Sequence, residues 1–219
     1  MIQLVAFLGN HGSKYNNTRH NVAWLFEKSL PFSHLLNWQK KFSGQFCTFT
    51  LSQFFSFCNQ YKILNDSELA YFTNKSDFSS GEKIFFLKPE TYMNASGQSI
   101  LELSNFYHIL PENILVVHDE LELIPGVVSL KWSGGLGGHN GLRSTKASIN
   151  TQDFWRLRFG IGRPAHSDIA SYVLSSFTSD ELILQEQTFA CTHELFAKIL
   201  LEKNPQDLLK DWSKRKLVQ

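Results

Sequence analysis

Three short apolar runs limit what this chain can become. "IQLVAFLG" (2–9), "KIFFLKP" (83–89) and "NILVVHDEL" (113–121) are each bounded by glycine, proline or charge. Runs of that length read as buried strands. Helical patterns lie between them. "HNVAWLFEKSL" (20–30) puts Val22, Leu25 and Phe26 on one face, with Thr18 placed to cap it. "SGQSILELSNFYHILP" (96–111) spaces Ile100, Leu103, Phe106, Tyr107 and Leu110 along a helix that Pro111 ends. "HNGLRSTKASI" (139–149) starts another helix. A capping box at Thr178 and Glu181 opens a long one over 178–203, with Leu182, Phe189, Phe196, Ile199 and Leu200 apolar.

Strands alternating with helices predict an α/β fold, a single-domain α/β/α sandwich around a mixed, twisted β-sheet. The 219 residues suit one domain over 1–219, with 204–219 as a basic tail. "VVSLKW" (127–132) and "FWRLRFGIGRP" (154–164) supply more strand, and the pattern over 113–132 points to a hairpin. "FCTFTLSQFFSFC" (46–58) is strand-like, and 65–82 reads as a polar, turn-rich surface excursion.

Composition removes some classes. A net charge of +1 argues against a polycation, but leaves room for a local basic stripe. Cys47, Cys58 and Cys191 are odd in number and contain no CxxC pair, which argues against a zinc or disulfide framework and for a reducing cytoplasm. The first apolar run lacks a basic lead and reads as a strand rather than a signal peptide. No stretch approaches the roughly 18 apolar residues of a membrane helix.

Candidate chemistry sits where strands end. Asn10 follows the first strand and His20 opens the next helix, the positions at which α/β folds hold ligands. The helix dipole there disfavours protonated His20 and leaves it usable as a base. Asp119, at the end of its own strand, is placed to accept from a His ring nitrogen. From spacing alone, a capping or solvated loop His20 and a solvated Asp119-Glu120-Glu122 turn are the competing readings, and His118 and His139 are further candidate bases. Asn94 can clamp a carbonyl or cap a helix.

"GGLGGHNG" (134–141) invites comparison with phosphate loops. It is neither GxGxxG nor Walker A, and no acid follows at the ribose-binding spacing, so a dinucleotide oxidoreductase is disfavoured. The glycines permit close backbone approach and deliver His139 and Asn140. No GxSxG elbow or HExxH cluster is present, so neither a serine hydrolase nor a metal is expected. Lys131, Arg143, Lys146, Arg156, Arg158 and Arg163 crowd the sequence around the loop, as solvated charge or as phosphate contacts.

Four segments carry a resemblance: "LGNHGSKYNNTRHNV", "KPETYMNASG", "VVHDELELIPGVVSLKWSGGLGGHNGLRS" and "DFWRLRFGIGRP". In this order they closely resemble the bacterial peptidyl-tRNA hydrolases. The resemblance implies a translation-linked hydrolase that cleaves the ester between peptide and tRNA 3′ end, with no metal or cofactor. It implies a cytoplasmic monomer whose partner is peptidyl-tRNA. His20 matches the catalytic base and Asp119 its carboxylate partner. Asn10, Asn94 and Asn140 match substrate-binding asparagines, with Met93 and His139 beside them. Tyr15 and Tyr92 match positions lining the site of the tRNA 3′ end, and Lys131 and Arg158 match residues that contact tRNA phosphate. Two departures stand out. His11 occupies a position usually proline, and 42–82 matches poorly. A non-catalytic RNA-binding relative of the same fold is the alternative reading.

Overall fold

The computed structural model describes residues 1–75, 81–164 and 168–218. Its strands are β1 Leu4–Phe7, β2 Gln39–Lys41, β3 Gly44–Thr50, β4 Lys83–Pro89, β5 Ile114–Glu120, β6 Val127–Trp132, β7 Trp155–Gly160 and β8 Arg215–Lys216. Its α-helices are α1 Val22–Ser29, α2 Leu51–Gln60, α3 Asp66–Lys75, α4 Ser96–Tyr107, α5 Asn140–Ile149, α6 Ile169–Leu174, α7 Ser179–Leu201 and α8 Leu209–Trp212. One mixed sheet runs in the order β2-β3-β4-β1-β5-β7-β6-β8. The central strands β4, β1, β5 and β7 are parallel, while β3 and β6 pair antiparallel on either side of them.

Strand alternation divides the core between the two faces. Val5, Phe7, Phe86, Leu115 and Val117 pack on one side with Phe26 of α1, Phe54 of α2 and Phe196 of α7. Leu4, Ala6, Leu87, Ile114 and Val116 pack on the other with Ile100 and Leu103 of α4 and Leu142 of α5. The chain leaves β1 toward the first face and leaves β4 toward the second, so the carboxyl ends of β1, β4 and β5 open onto one crevice, the usual ligand position of such sheets.

Several elements differ from the sequence expectation, each for a local reason. The apolar run at 46–58 is only half strand. Thr50 accepts from the Gln53 N–H and receives Gln53 in a capping box, so α2 starts there and buries Leu51, Phe54 and Cys58 at helical spacing. The excursion at 65–82 contains α3, which buries Phe72 and ties Lys75 to Glu202 at 2.6 Å; residues 76–80 lie outside the described set. Thr18 does not cap α1. Its Oγ1 donates to the Tyr15 carbonyl at 2.9 Å, and a 3-10 turn over Arg19–Asn21 precedes the helix. The helix before Pro111 stops at Tyr107, where His108 turns left-handed at φ 56. The hairpin expected over 113–132 does not form, because β7 inserts between β5 and β6. The basic segment after residue 204 folds back through α8, and β8 pairs with β6.

Candidate active site

Asp119 lies near the end of β5 and is only 2% exposed. Its Oδ1 lies 2.8 Å from His20 Nδ1 and 2.9 Å from His139 Nε2. The sequence offered three imidazoles as bases, and the structure gives two of them, His20 and His139, to one oxygen. Their second nitrogens differ. His139 Nδ1 caps α5, facing the N–H groups of Gly141 at 3.1 Å and Leu142 at 3.3 Å. A nitrogen that accepts two N–H bonds carries no proton, so His139 is the Nε2–H tautomer and donates to Asp119. His20 likewise gives its Nδ1–H to the carboxylate. Its Nε2 has no protein partner among the described residues, and the ring borders a cavity of about 350 Å³ with Asn140 and Arg143.

The electrostatics follow from this geometry. Burial works to raise the Asp119 pKa, but the two histidines hold it well below the usual carboxylate range. For His20, burial lowers and Asp119 raises, and the net direction is upward. The sequence expectation of a His20 depressed by a helix dipole is therefore reversed, since the ionised carboxylate beside the ring outweighs the other effects. His118 lies behind the site, its ring 4.9 Å from that of His139; burial holds its pKa well below the ordinary value.

Asn10 is anchored at three points. Its N–H donates to Asn21 Oδ1 at 2.8 Å, its carbonyl accepts from Asn21 Nδ2 at 3.0 Å, and its Oδ1 accepts from the Met93 N–H at 2.8 Å. That leaves the Asn10 amide NH₂ as the group with bonding capacity to spare. The Met93 side chain is buried in the core, so the backbone N–H is what Met93 gives the site. Asn94 and Tyr92 are exposed in the turn around it, and Tyr15 meets Tyr92 edge-on at 6.4 Å between centroids. Asn140 is exposed at the start of α5 and borders the same cavity as His20.

The glycine loop is a hinge for His139 rather than an anion cradle. Gly137 and Gly138 have φ of 58° and 78°, a region open to glycine. Gly141 lets α5 approach closely, since a Cβ there would lie 2.6 Å from Met93 Sδ. The first free N–H groups of α5 are already spent on His139. Arg156 of β7 fixes the other limb, donating to the Gly135 and Gly134 carbonyls at 2.8 and 3.2 Å.

Lys131, Arg156 and Arg158 share one face of the β6–β7 pair, with Lys131 opposite Arg156. Arg158 is tied to Glu120 at 3.2 Å and Ser129 at 2.6 Å, whereas no hydrogen bond or ion pair is seen for Lys131 among the described residues. Burial and the two arginines push the Lys131 pKa down, and burial and Arg158 bring Arg156 to about 10. Cations crowded in this way favour an anion beside them.

Sequence reasoning missed Asn21 and Arg19, although both stand in the quoted segment around His20. Arg19 reaches across to α6 and α7, donating to Ser175 Oγ at 2.6 Å and the Ser176 carbonyl at 2.9 Å, pairing with Glu181 at 2.6 Å, and lying 4.4 Å over the Tyr172 ring. Ile169 and Val173 of α6 wall the cavity that Arg19 thus steadies. His20, Asp119 and His139 also offer three ligand atoms within 4.8 Å, the set that could hold a metal ion. An ion there would displace both hydrogen bonds to Asp119. No helix among the described residues is long and apolar enough to cross a membrane.

Residues 4–218 match the family model for peptidyl-tRNA hydrolase. The chain is 40% identical to the peptidyl-tRNA hydrolase of Treponema pallidum, covering 99% of this chain and 97% of that protein. It is 41% identical to that of Desulfitobacterium hafniense over 85% of this chain and 86% of the relative. The crystal structure of peptidyl-tRNA hydrolase from Acinetobacter baumannii superimposes with a TM-score of 0.75 at 32% identity, covering 97% of this chain and 96% of that one. Sequence and fold agree over nearly the whole length, and the chain belongs to the peptidyl-tRNA hydrolase family.

Proposed function

We propose that this chain hydrolyses the ester joining a peptide to the 3′ end of tRNA, with His20 as general base. The observation that carries the reading is the buried Asp119 carboxylate, which takes His20 Nδ1 at 2.8 Å and leaves Nε2 facing a cavity. Ionised Asp119 orients the ring and stabilises the imidazolium that forms when Nε2 takes a proton from water. The resulting hydroxide attacks the ester carbonyl, and the tRNA 3′ oxygen leaves with a proton returned from His20. A positioned base supplies about 10²–10⁴-fold. Asn10, Asn94 and Asn140 offer amide groups to hold the peptide, and the Lys131–Arg158 face receives tRNA phosphate. The reaction needs no covalent intermediate, since an aminoacyl ester is already activated.

We place the enzyme in the cytoplasm as a monomer, in keeping with free Cys47, Cys58 and Cys191. The deciding assay is peptide release from N-blocked aminoacyl-tRNA, with unblocked aminoacyl-tRNA as control. Wild-type turnover on the blocked substrate, lost in His20→Ala while tRNA binding persists, is the expected result. Binding without release by the wild type would turn the reading to a non-catalytic RNA-binding relative.

A further inference from the structure

At the open end of the crevice, beside Asn10, rings from two loops meet. The His11 imidazole lies 4.1 Å from the Tyr92 ring, centroid to centroid, at a tilt of 35°. Tyr15 closes the group edge-on, and the Lys14 ammonium lies 4.8 Å over Tyr15. Tyr92 keeps 46% of its surface in water. It holds φ 59 and ψ 162, a backbone state that a bulky residue rarely adopts, and strain of that kind gathers at ligand sites. The next N–H, of Met93, is bonded to Asn10, the residue directly before His11. The two loops are thus fastened together behind the ring pair while its outer surface stays open.

A proline, which the resemblance puts at position 11, fixes the turn but has no π face. Here an imidazole lies on Tyr92 in its place. Asn10 is bonded to Asn21, the neighbour of His20, so the pair lies one residue away from the framework of the reacting centre. The base nearest the scissile ester is the one on the ribose that carries it. We propose that His11 is a substrate-binding residue that, with Tyr92, forms a stacking platform for the terminal nucleobase of the tRNA 3′ end. This rests on the hydrolase reading above. Single-stranded ends present unstacked bases, any base has a π face for such a platform, and Lys14 adds a cation for the nearby backbone.

The test is steady-state kinetics on N-blocked aminoacyl-tRNA and on the same ester with its terminal base removed. His11→Ala raises KM about 5- to 30-fold on the intact substrate with kcat changed less than about twofold, the size expected for one stacked base. His11→Phe restores the wild-type KM, and on the abasic substrate wild type and His11→Ala become equal. An unchanged KM in His11→Ala, an equal loss on the abasic substrate, or a His11→Phe as impaired as His11→Ala overturns the platform while leaving the hydrolase reading intact. A wild-type protein that releases no peptide overturns both.

Discussion

His139 donates its Nε2 proton to the Oδ1 of Asp119 at 2.9 Å, the same oxygen that holds His20. That bond spreads part of the carboxylate's negative charge away from His20. Without it, the field at His20 strengthens, the imidazolium is favoured, and the His20 pKa rises further. In His139→Ala the ascending limb of kcat/KM against pH should therefore move to higher pH. The same variant loses the α5 cap, at about 0.5–2 kcal/mol, and urea denaturation should read that loss. A limb that stays in place would mean His139 serves the helix alone.

Removing the carboxylate works the other way. In the wild type, Asp119 outweighs burial and the His20 pKa is raised above its ordinary 6.5. The free base grows as pH rises through that value, so the ascending limb should centre above pH 6.5. In Asp119→Asn only burial remains to act on His20, and burial lowers its pKa. The limb should shift to lower pH while its plateau falls by about 10²–10⁴-fold, the contribution of a well-oriented base. A limb that moved upward would remove Asp119 from this role.

The parts of this site that were legible in the sequence share a physical origin. β4 and β5 showed as apolar runs because both faces of a central strand are buried, and Asp119 was conspicuous as charge at the end of one. Phe-rich 46–58 misled because phenylalanine suits strand and helix cores equally, and the break at Thr50 lies in a side-chain cap. The β7 insertion between β5 and β6 was invisible because hairpin spacing constrains loop length, not sheet order. Arg19 escaped notice for a related reason. Its partners Ser175, Ser176 and Glu181 lie more than 150 positions away, so only the folded chain connects them.

Lys131 and Arg158 should both contribute to the salt dependence of tRNA binding but differ in what they do for stability. Removing one cation that neutralises a phosphate flattens the slope of log binding constant against log salt by about 0.7–0.9. Lys131→Ala should cost one such step and leave stability near wild type, because the ammonium has no protein partner to abandon among the described residues. Arg158→Ala also unpairs Glu120 and Ser129, so it should lower stability as well. Tm and the salt dependence of tRNA binding, measured on both variants, separate the two. An unchanged slope in Lys131→Ala would count against a phosphate role there.

Arg156 predicts a defect at a distance. The residue is 1% exposed, and its guanidinium serves the carbonyls of Gly134 and Gly135. Arg156→Met keeps the length of the stem but leaves both carbonyls without their charged donor, at about 0.5–1.5 kcal/mol each, since Gly135 is exposed and Gly134 half-buried and water can replace the lost bonds. The glycine limb then loosens, and with it the approach of His139 and Asn140 to the cavity. Urea unfolding should register the reduced stability, and KM for N-blocked aminoacyl-tRNA should rise more than kcat falls. The base itself is untouched, so the pH limb should hold its wild-type position. A limb displaced together with KM would show that Arg156 acts on His20 through its charge, and the loop explanation would fail.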